Sequence, residues 1–491
     1  MPTGAGAPAS EVRFVLNGQL VREPALPCTM TVLEYLREVR GLTGTKEGCA
    51  EGDCGACTVV TGALAADGTR IQYRAINSCI RFMATLDGQE LVTVEGLRGA
   101  DGALHPVQQS MVDHHGSQCG FCTPGFVMSL FALYLEGEAA TRERVLHALS
   151  GNLCRCTGYR PIIDAGTAMH GYPVPAHWST ATARSASRCA ALAALVREQP
   201  LRLPGFYAPR TEEQLAQELH ERPQALVLAG GTDVGLWVTK QLRDLPPIVY
   251  LGAVESLQQI QADAQGLRIG AAVSLTDAWQ ALVGQWPCLQ EVADRFGSPP
   301  VRNSGTLCGN LANGSPIGDA LPTLMALGAE IELRCGAHTR HLALERFYRG
   351  YQEKDLAAGE FVVAVRVPRA VPGMRVRVFK LSKRIDQDIS AVCLACAVSV
   401  EAGRITAARV ALGGMAAVAA RAASVERILI GAPWSRATFE TAALGLGQDF
   451  TPLSDMRASS DYRMMGAANL LRRFYLAYEP DALTRLAEVL V

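Results

Sequence analysis

The first stretch of the chain alternates apolar and polar side chains, which is the pattern of a half-buried strand. Residues 12–16 alternate in this way, and Asn17-Gly18 is a turn signal typical of a two-residue β-hairpin. Thr31 is placed to cap a helix whose apolar positions Leu33, Leu36 and Val39 recur at helical spacing. Further strands are predicted at 58–61, 72–76 and 91–94. The pattern predicts a small sheet packed on one helix.

After Pro106 the pattern changes from strands to helices. Proline is favoured in the first turn of a helix, and Pro106, Pro124 and Pro161 each precede an apolar helical run. Thr141 is placed to cap one more helix. These signals predict a small four-helix bundle. The next residues, 173–200, show weak periodicity and are interpreted as a linker.

From Leu203 onward strands and helices alternate again. Candidate strands lie at 225–228, 248–251, 267–269, 376–381, 390–400 and 406–412, and alanine-rich helices follow. We therefore predict a multidomain α+β protein. The predicted domains are 10–95, 96–172, 201–373 and 374–491, with the linker at 173–200.

Composition narrows the possible functions. Of 491 residues 49% are hydrophobic, and the formal net charge of −1 gives no basic surface for a nucleic acid. The apolar run 389–400 is shorter than the ~20 residues that a membrane helix needs. Residues 1–14 have neither a basic nor an apolar region, so we expect a short disordered tail, no secretory signal and a cytoplasmic protein.

The chain has fifteen cysteines, and in a protein expected to be cytoplasmic they point to metal binding rather than to disulfides. The first group has the spacing C-x4-C-x2-C with a distant fourth member, which is typical of a plant-type [2Fe–2S] ferredoxin. Its members are Cys49, Cys54, Cys57 and Cys79. Gly48, Gly52 and Gly55 are expected to give the loop positive φ angles. Zinc sites prefer paired C-x2-C knuckles and fit this spacing poorly.

The second group combines C-x2-C with C-x-C. Its members are Cys119, Cys122, Cys154 and Cys156. Taken alone, this spacing suits zinc as well as a [2Fe–2S] cluster. The predicted helix bundle would place both pairs at corresponding helix ends in a buried site, and the first group just upstream favours a second cluster. His114 and His115 are interpreted as solvated rather than as ligands.

Two glycine-rich stretches indicate a nucleotide site. Residues 226–234 read as a strand, a Gly-Gly loop and a helix, which would present backbone N–H groups and a helix N-terminus to a pyrophosphate. The motif is weak by itself and is not GxGxxG. Residues 296–319 are small, polar and glycine-rich, and they predict a long functional loop.

The cysteine stretches Gln118–Gly125 (QCGFCTPG) and Gly151–Tyr159 (GNLCRCTGY) resemble the signatures of the molybdenum hydroxylases. The resemblance implies a β-grasp [2Fe–2S] ferredoxin domain, a four-helix [2Fe–2S] bundle, a vanillyl-alcohol-oxidase-type FAD domain and a C-terminal α+β flavoprotein domain. It implies that the bundle's cluster faces a molybdopterin, with Gln118 near the pterin, while the first cluster faces the flavin.

The same resemblance identifies expected FAD contacts. They are Val227, Leu228, Ala229, Gly230, Gly231, Thr232, Asp233, Val234, Phe296, Thr306, Leu307, Cys308, Gly309, Asn310, Asp319, Val363 and Lys380. The chain departs from the family at Cys308, where glycine is usual, and at Pro300. Cys308 is interpreted as a small core residue, and Cys393 and Cys396 as core thiols in an apolar strand.

The order of the parts resembles the small subunits of bacterial xanthine dehydrogenases. This resemblance implies a large molybdopterin-binding partner, in a heterotetramer of two small and two large chains, that oxidises hypoxanthine and xanthine to urate. Electrons would pass through both clusters to FAD and on to NAD⁺, so no hydroxylating residue is expected in this chain. Two alternatives stay open: the same role for an aldehyde or another N-heterocycle, and a zinc-stabilised FAD-binding redox sensor.

Overall fold

The computed structural model describes residues 8–99, 101–174, 177–179 and 181–479. The chain forms two compact units, the first from residues up to Glu255 together with Gly297–Gly305, and the second from Ser256–Phe296 and Thr306 onward. The predicted 201–373 domain thus contributes to both units. Most of the expected N-terminal tail and the end of the last predicted domain lie outside the described residues.

The first sheet of the first unit has five strands in the order β2-β1-β5-β3-β4. They are β1 (Val12–Leu16), β2 (Gln19–Glu23), β3 (Thr58–Leu64), β4 (Ile71–Asn77) and β5 (Glu90–Val92). The β1–β2 hairpin turns at Asn17 and Gly18, both at positive φ, which confirms the predicted turn. β1 is parallel to β5, whereas the other pairs are antiparallel.

The helix beside this sheet departs from the predicted spacing. Helix α1 (Val32–Glu34) is capped by the Thr31 hydroxyl, which accepts the Glu34 amide at 3.1 Å, as predicted. The chain then continues as a π-helix over Tyr35–Val39. Its wider turn rotates the side chains, and Val39 is 51% exposed instead of facing the core.

Four helices form the predicted bundle. They are α2 (Pro106–Asp113), α3 (Thr123–Leu135), α4 (Arg142–Leu149) and α5 (Arg160–Ala168). Pro106, Pro124 and Pro161 lie in first turns, and the Thr141 hydroxyl caps α4, so these predictions are confirmed. The bundle core is formed by buried aromatic and aliphatic side chains, and α3 contributes more of them than any other helix.

The described residues of the predicted linker, 173–200, include secondary structure. They contain helix α6 (Ala186–Ala193), which packs Cys189 and Leu192 against Ile71 of the first sheet. Arg197 is buried and forms an ion pair with Asp87 at 2.9 Å. Helix α6 therefore packs against the first sheet, although the sequence periodicity of the predicted linker is weak.

A second, four-stranded sheet completes the first unit, with the order β6-β7-β9-β8. Its elements are β6 (Leu201–Leu203), β7 (Phe206–Ala208), α7 (Glu212–Glu221), β8 (Leu226–Leu228), α8 (Val234–Thr239) and β9 (Ile248–Tyr250). Both β7 and β8 run parallel to β9. The predicted strand, Gly-Gly loop and helix at 226–234 is thus confirmed as local structure.

The next elements belong to the second unit, except α11. They are β10 (Ile260–Ala262), β11 (Gly266–Gly270), α9 (Leu275–Gln285), α10 (Gln290–Asp294), α11 (Pro299–Ser304), α12 (Leu307–Asn313), α13 (Ala320–Ala326), β12 (Glu330–Cys335), β13 (His338–Ala343), α14 (Leu344–Phe347), β14 (Tyr348–Gly350), β15 (Glu353–Lys354) and β16 (Phe361–Pro368). Five of these strands form a sheet in the order β10-β11-β16-β12-β13, and β14 pairs with β15.

The prediction of one long loop at 296–319 is wrong, because the stretch contains α11 and α12. The Thr306 hydroxyl accepts the Gly309 amide at 3.0 Å and so begins α12, and Gly314 ends it in the left-handed conformation. The small polar residues that indicated a loop therefore act as helix caps.

The last sheet of the second unit has the order β17-β18-β19-β20. Its elements are β17 (Arg375–Leu381), β18 (Val392–Glu401), β19 (Arg404–Gly413) and β20 (Ala420–Arg421), followed by α15 (Ala423–Leu429), α16 (Arg436–Asp449) and α17 (Ser460–Leu476). Cys393 and Cys396 are fully buried in β18, which confirms them as core thiols. No helix in the described part of the chain is long and apolar enough to cross a lipid bilayer.

Candidate functional site

The first cysteine group lies on a loop whose backbone N–H groups converge on one sulfur. Ala50, Gly52 and Gly55 adopt positive φ angles of 54°, 77° and 71°. In this conformation the amides of residues 51, 53 and 54 lie 3.5, 3.4 and 3.4 Å from the Sγ atom of Cys49. Such a concave set of N–H groups stabilises negative charge on sulfur.

Gly48 has a different role from the one predicted, because it does not adopt a positive φ. A Cβ atom at Gly48 would lie 2.9 Å from the Sγ atom of Cys54. This glycine therefore leaves room for the sulfur.

The four thiols of this group influence one another's ionisation. The Sγ atoms of Cys57 and Cys79 are 3.2 Å apart, and both side chains are buried. Hydrogen bonds with the side chains of Cys54 and Cys79 lower the pKa of Cys49, and a hydrogen bond with Cys79 lowers the pKa of Cys57. The same hydrogen bonds raise the pKa of Cys54 and Cys79, so these contacts favour the metal-binding thiolate form at two of the four positions.

The second cysteine group lies where two bundle helices begin. Cys122 directly precedes α3, while Cys154 and Cys156 lie just before α5. The pKa of Cys122 is raised to about 12, mainly by burial and secondly by its hydrogen bond with Cys154. Partial burial acts to raise the pKa of Cys154, but hydrogen bonds with Thr157 outweigh it and lower that pKa.

This second group is not the buried site that the bundle pattern predicts. Cys119 and Cys156 are exposed, and Cys122 and Cys154 are half-buried. The cysteine pairs precede their helices instead of lying on helix faces, so they remain at the surface of the bundle. His114 has its Nδ1 atom 3.0 Å from the Ser110 carbonyl oxygen, so that nitrogen is engaged within α2.

The two cysteine loops contact each other directly. The Leu153 amide donates to the Cys54 carbonyl at 2.9 Å, and the Asn152 side-chain amide donates to the Gly55 carbonyl at 3.1 Å. A Cβ atom at Gly125 would lie 2.1 Å from that same Gly55 oxygen. Sequence reasoning missed Asn152, although a polar residue inside the second signature was a signal for it.

In the described part of the chain no three His, Cys, Asp or Glu side chains are gathered so as to hold one metal ion. A [2Fe–2S] cluster divides four thiolates between two irons, and a pair such as Cys57 and Cys79 matches half of that requirement. The N–H groups around Cys49 and the paired thiols thus fit such a cluster.

The Gly-Gly loop belongs to the first unit. Gly231 has a φ of 78°, which favours glycine. A Cβ atom at Gly230 would lie 2.2 Å from the Ser304 carbonyl oxygen and 2.5 Å from the Gly305 Cα atom, so this glycine also permits close packing within the unit. Helix α8 has only six residues, so its dipole contributes less than the sequence pattern suggests.

The expected FAD residues are divided between the two units. Val227–Val234 belong to the first unit, and the remaining expected FAD residues belong to the second. Asp319 and Lys380 are brought together as a buried ion pair at 2.8 Å, and the Ser390 hydroxyl donates to the other Asp319 oxygen at 2.5 Å. The Phe296 ring packs against Trp279 at 5.4 Å between centroids. Val363 is buried in β16.

Cys308 is buried in α12, in the second unit. Burial raises the pKa of its thiol to about 12. A thiol in this state is neutral and apolar, which supports its interpretation as a core residue.

Four family models match the chain in succession. They are a 2Fe-2S iron-sulfur cluster binding domain (residues 14–83), a [2Fe-2S] binding domain (93–167), an FAD binding domain in molybdopterin dehydrogenase (200–370) and a CO dehydrogenase flavoprotein C-terminal domain (377–478). Together they account for both cysteine groups and both glycine-rich stretches.

Comparison with individual proteins finds similarity to the same kinds of protein as the family models. A xanthine dehydrogenase of Emericella nidulans is 32% identical over 94% of this chain, which spans 38% of that relative's length. A solved carbon monoxide dehydrogenase from Hydrogenophaga pseudoflava has a TM-score of 0.52 at 26% identity, covering 55% of this chain and 94% of that one. Quinoline 2-oxidoreductase from Pseudomonas putida 86 has a TM-score of 0.50 at 29% identity, with coverages of 55% and 95%. The chain belongs to the molybdenum hydroxylase family, with two [2Fe–2S] domains followed by an FAD-binding domain and a flavoprotein C-terminal domain.

Proposed function

We propose that this chain carries electrons between a molybdopterin-binding partner chain and NAD⁺. The direct hydrogen bond from the Leu153 amide to the Cys54 carbonyl carries this proposal, because it joins the two cysteine loops without an intervening side chain. One-electron centres must lie close together for rapid transfer, and these loops share backbone contacts.

The residues that would hold the cofactors follow from the two cysteine groups and the Gly-Gly loop. Each group supplies four thiols for one [2Fe–2S] cluster, and residues 227–234, Phe296, 306–310, Asp319, Val363 and Lys380 would bind FAD. When bound, the clusters exchange single electrons, whereas FAD accepts electrons singly and exchanges two with nicotinamide. The chain's own residues bind and space these groups, and we propose no hydroxylating residue here.

We propose hypoxanthine and xanthine as the substrates, oxidised on the partner chain to urate. The support is the Emericella nidulans xanthine dehydrogenase, which is 32% identical over 94% of this chain. The quinoline 2-oxidoreductase likeness favours a second candidate, the same electron-transfer role for another N-heterocycle. We propose a heterotetramer of two small and two large chains.

The test is to purify this chain with its partner and to compare purines, quinoline and an aldehyde as reductants, with NAD⁺ and O₂ as acceptors. We expect xanthine and NAD⁺ to give the fastest turnover. Faster oxidation of quinoline would favour the second candidate, and turnover with O₂ alone would contradict NAD⁺ as acceptor.

Cofactor content separates this proposal from a zinc-stabilised redox sensor. We expect about four irons and about four acid-labile sulfides per chain, two of each per cluster, together with one non-covalent FAD. Zinc–thiolate sites are colourless, so zinc in place of iron and no visible absorption beyond the flavin would contradict the cluster assignment.

A further inference from the structure

The last turn of helix α8 contacts the first cysteine loop, and both belong to the first unit. The Thr239 hydroxyl donates to the Ala50 carbonyl at 2.7 Å. The Lys240 ammonium donates to the Cys49 carbonyl at 3.1 Å and lies 3.5 Å from a Glu51 carboxylate oxygen. These residues are about 190 positions from the loop in sequence, and no motif indicates the contact.

The helix lies so close to the first cysteine group that only glycine fits at one position. A Cβ atom at Gly235 would lie 2.5 Å from the carbonyl oxygen of Ile80, the residue after Cys79. The Thr239 hydroxyl also lies 3.1 Å from the Gly235 carbonyl oxygen, so its single proton is shared between the loop, at the shorter distance, and its own helix.

The carbonyl that Thr239 holds belongs to a strained residue. Ala50 has a φ of 54°, which is a left-handed conformation that is unfavourable for residues with a Cβ atom. This conformation turns the following peptide groups so that the amides of residues 51, 53 and 54 point to the Cys49 sulfur. A hydrogen bond that fixes the Ala50 peptide therefore also fixes the N–H groups around that sulfur.

We propose that Thr239 and Lys240 are positioning residues that raise the reduction potential of the first cluster. Thr239 does so by fixing the N–H groups around Cys49, and Lys240 by placing positive charge beside the loop. Hydrogen bonds to sulfur and local charge set such potentials, since both stabilise the more negative, reduced state. The inference rests on the proposed function, which supplies the cluster.

The test compares Thr239→Val and Lys240→Met with the conservative variants Thr239→Ser and Lys240→Arg. Thr441→Val is the matched control for threonine, because its hydroxyl donates to its own helix at Ala437 and Thr441 belongs to the second unit. Arg22→Met controls for the loss of one exposed positive charge. Each protein is purified with its partner and titrated by electron paramagnetic resonance at controlled potentials.

The two clusters are distinguished by a Cys79→Ser variant, since the signal that it alters belongs to the first group. We compare the proteins at the midpoint potential of the parent's first cluster. In each test variant we expect the ratio of reduced to oxidised first cluster to be roughly threefold to tenfold lower. This is the effect expected when one charge or hydrogen bond near a surface is lost. The second cluster's midpoint, both conservative variants and both controls should match the parent.

Unchanged midpoints in both Thr239→Val and Lys240→Met would overturn the inference and leave the proposed function intact, because the clusters would be present. Equal shifts of both clusters would also overturn it, since the effect would not be local. Loss of iron from the first cluster alone in Thr239→Val, with Thr239→Ser unaffected, would support the positioning role. A parent protein without either cluster would contradict the proposed function itself.

Discussion

Asn152 shows how much a single buried side chain can decide. It donates to the Gly55 carbonyl and to the Thr58 hydroxyl, at 3.1 and 3.3 Å, and it accepts the Ser129 hydroxyl at 2.7 Å. Both polar atoms of the Asn152 side chain therefore form hydrogen bonds, and the residue is 2% exposed. Its position between the cysteine loops makes it a structural link between them.

We expect Asn152→Ala to lower the free energy of unfolding of the first unit by about 2–3 kcal/mol, since buried partners are left without hydrogen bonds. Urea unfolding and iron content would be measured on the same preparations. Asn469→Ala is the control, because Asn469 is exposed and accepts a hydrogen bond from Arg472 at the surface, and its effect should stay within about 0.5 kcal/mol. Equal stability of Asn152→Ala and the parent would contradict this role.

His105 couples the stability of the bundle to pH. The ring is buried, caps α2 by accepting the Val107 amide at 3.2 Å, and lies against the Phe131 and Tyr134 rings. Burial, with His177 as a second cause, lowers its pKa from 6.5 to about 3. The unfolded chain therefore takes up a proton that the folded bundle excludes.

We expect the bundle to lose stability as pH falls below 6.5, by about 2 kcal/mol at pH 5, because the folded-state pKa is the lower one. Hydrogen exchange of peptides from α3 between pH 7 and pH 5 measures this loss locally. His105→Asn keeps a capping oxygen and should abolish that part of the pH dependence, whereas exposed His220→Asn should not. A parallel pH profile for His105→Asn and the parent would show that another group is responsible.

At the level of elements, the Gly-Gly loop and α11 pack so closely that one glycine serves two purposes. Gly230 faces the Ser304 carbonyl, and the neighbouring Asn303 donates to the Ala75 carbonyl of β4 at 2.9 Å. A side chain at Gly230 would therefore disturb packing in the first unit, in addition to obstructing the pyrophosphate of the proposed FAD.

We expect Gly230→Ala to reduce FAD content and also to lower the free energy of unfolding of the first unit by about 1–3 kcal/mol, the usual cost of overpacking. Gly284→Ala is the control, because no atom lies within 4 Å of the added Cβ. Flavin content and urea unfolding would be compared. Lost FAD with unchanged stability would show that the space at Gly230 serves the cofactor alone.

For the molecule as a whole, the two cysteine groups differ in what can approach them. Cys57 and Cys79 are buried, whereas Cys119 and Cys156 are exposed. A partner chain can therefore reach the second group directly, and the first group lies against α8, which follows the proposed FAD loop. This asymmetry supports the direction of transfer implied by the family resemblance.

We expect Cys154→Ser to prevent reduction of FAD by xanthine while NADH still reduces it, because only the first route needs the second cysteine group. Stopped-flow absorbance of the flavin in the purified complex measures both reactions. Cys335→Ser makes the same substitution outside both cysteine groups, so it is the control and should retain both reactions. Normal reduction by xanthine in protein that lacks the second cluster would contradict the proposed order.

Local chemistry determined much of this protein from its sequence alone. The cysteine spacings, the Asn17-Gly18 turn, and the helix starts at Pro106 and Thr141 depend on neighbours a few residues away, and the structure agrees with the turn and helix predictions. The failure at 296–319 has the same origin, because Ser, Thr and Gly are favoured in loops and in helix caps alike.

The tertiary structure decided the contacts between distant segments. Leu153 bonds to Cys54, Thr239 bonds to Ala50, and Gly230 meets Ser304, each across tens to hundreds of residues. Packing of whole elements sets such contacts, and no periodicity or local propensity records which carbonyl a side chain will reach. The sequence therefore predicts which residues would hold the cofactors, while packing decides which distant carbonyl groups and side chains lie beside them.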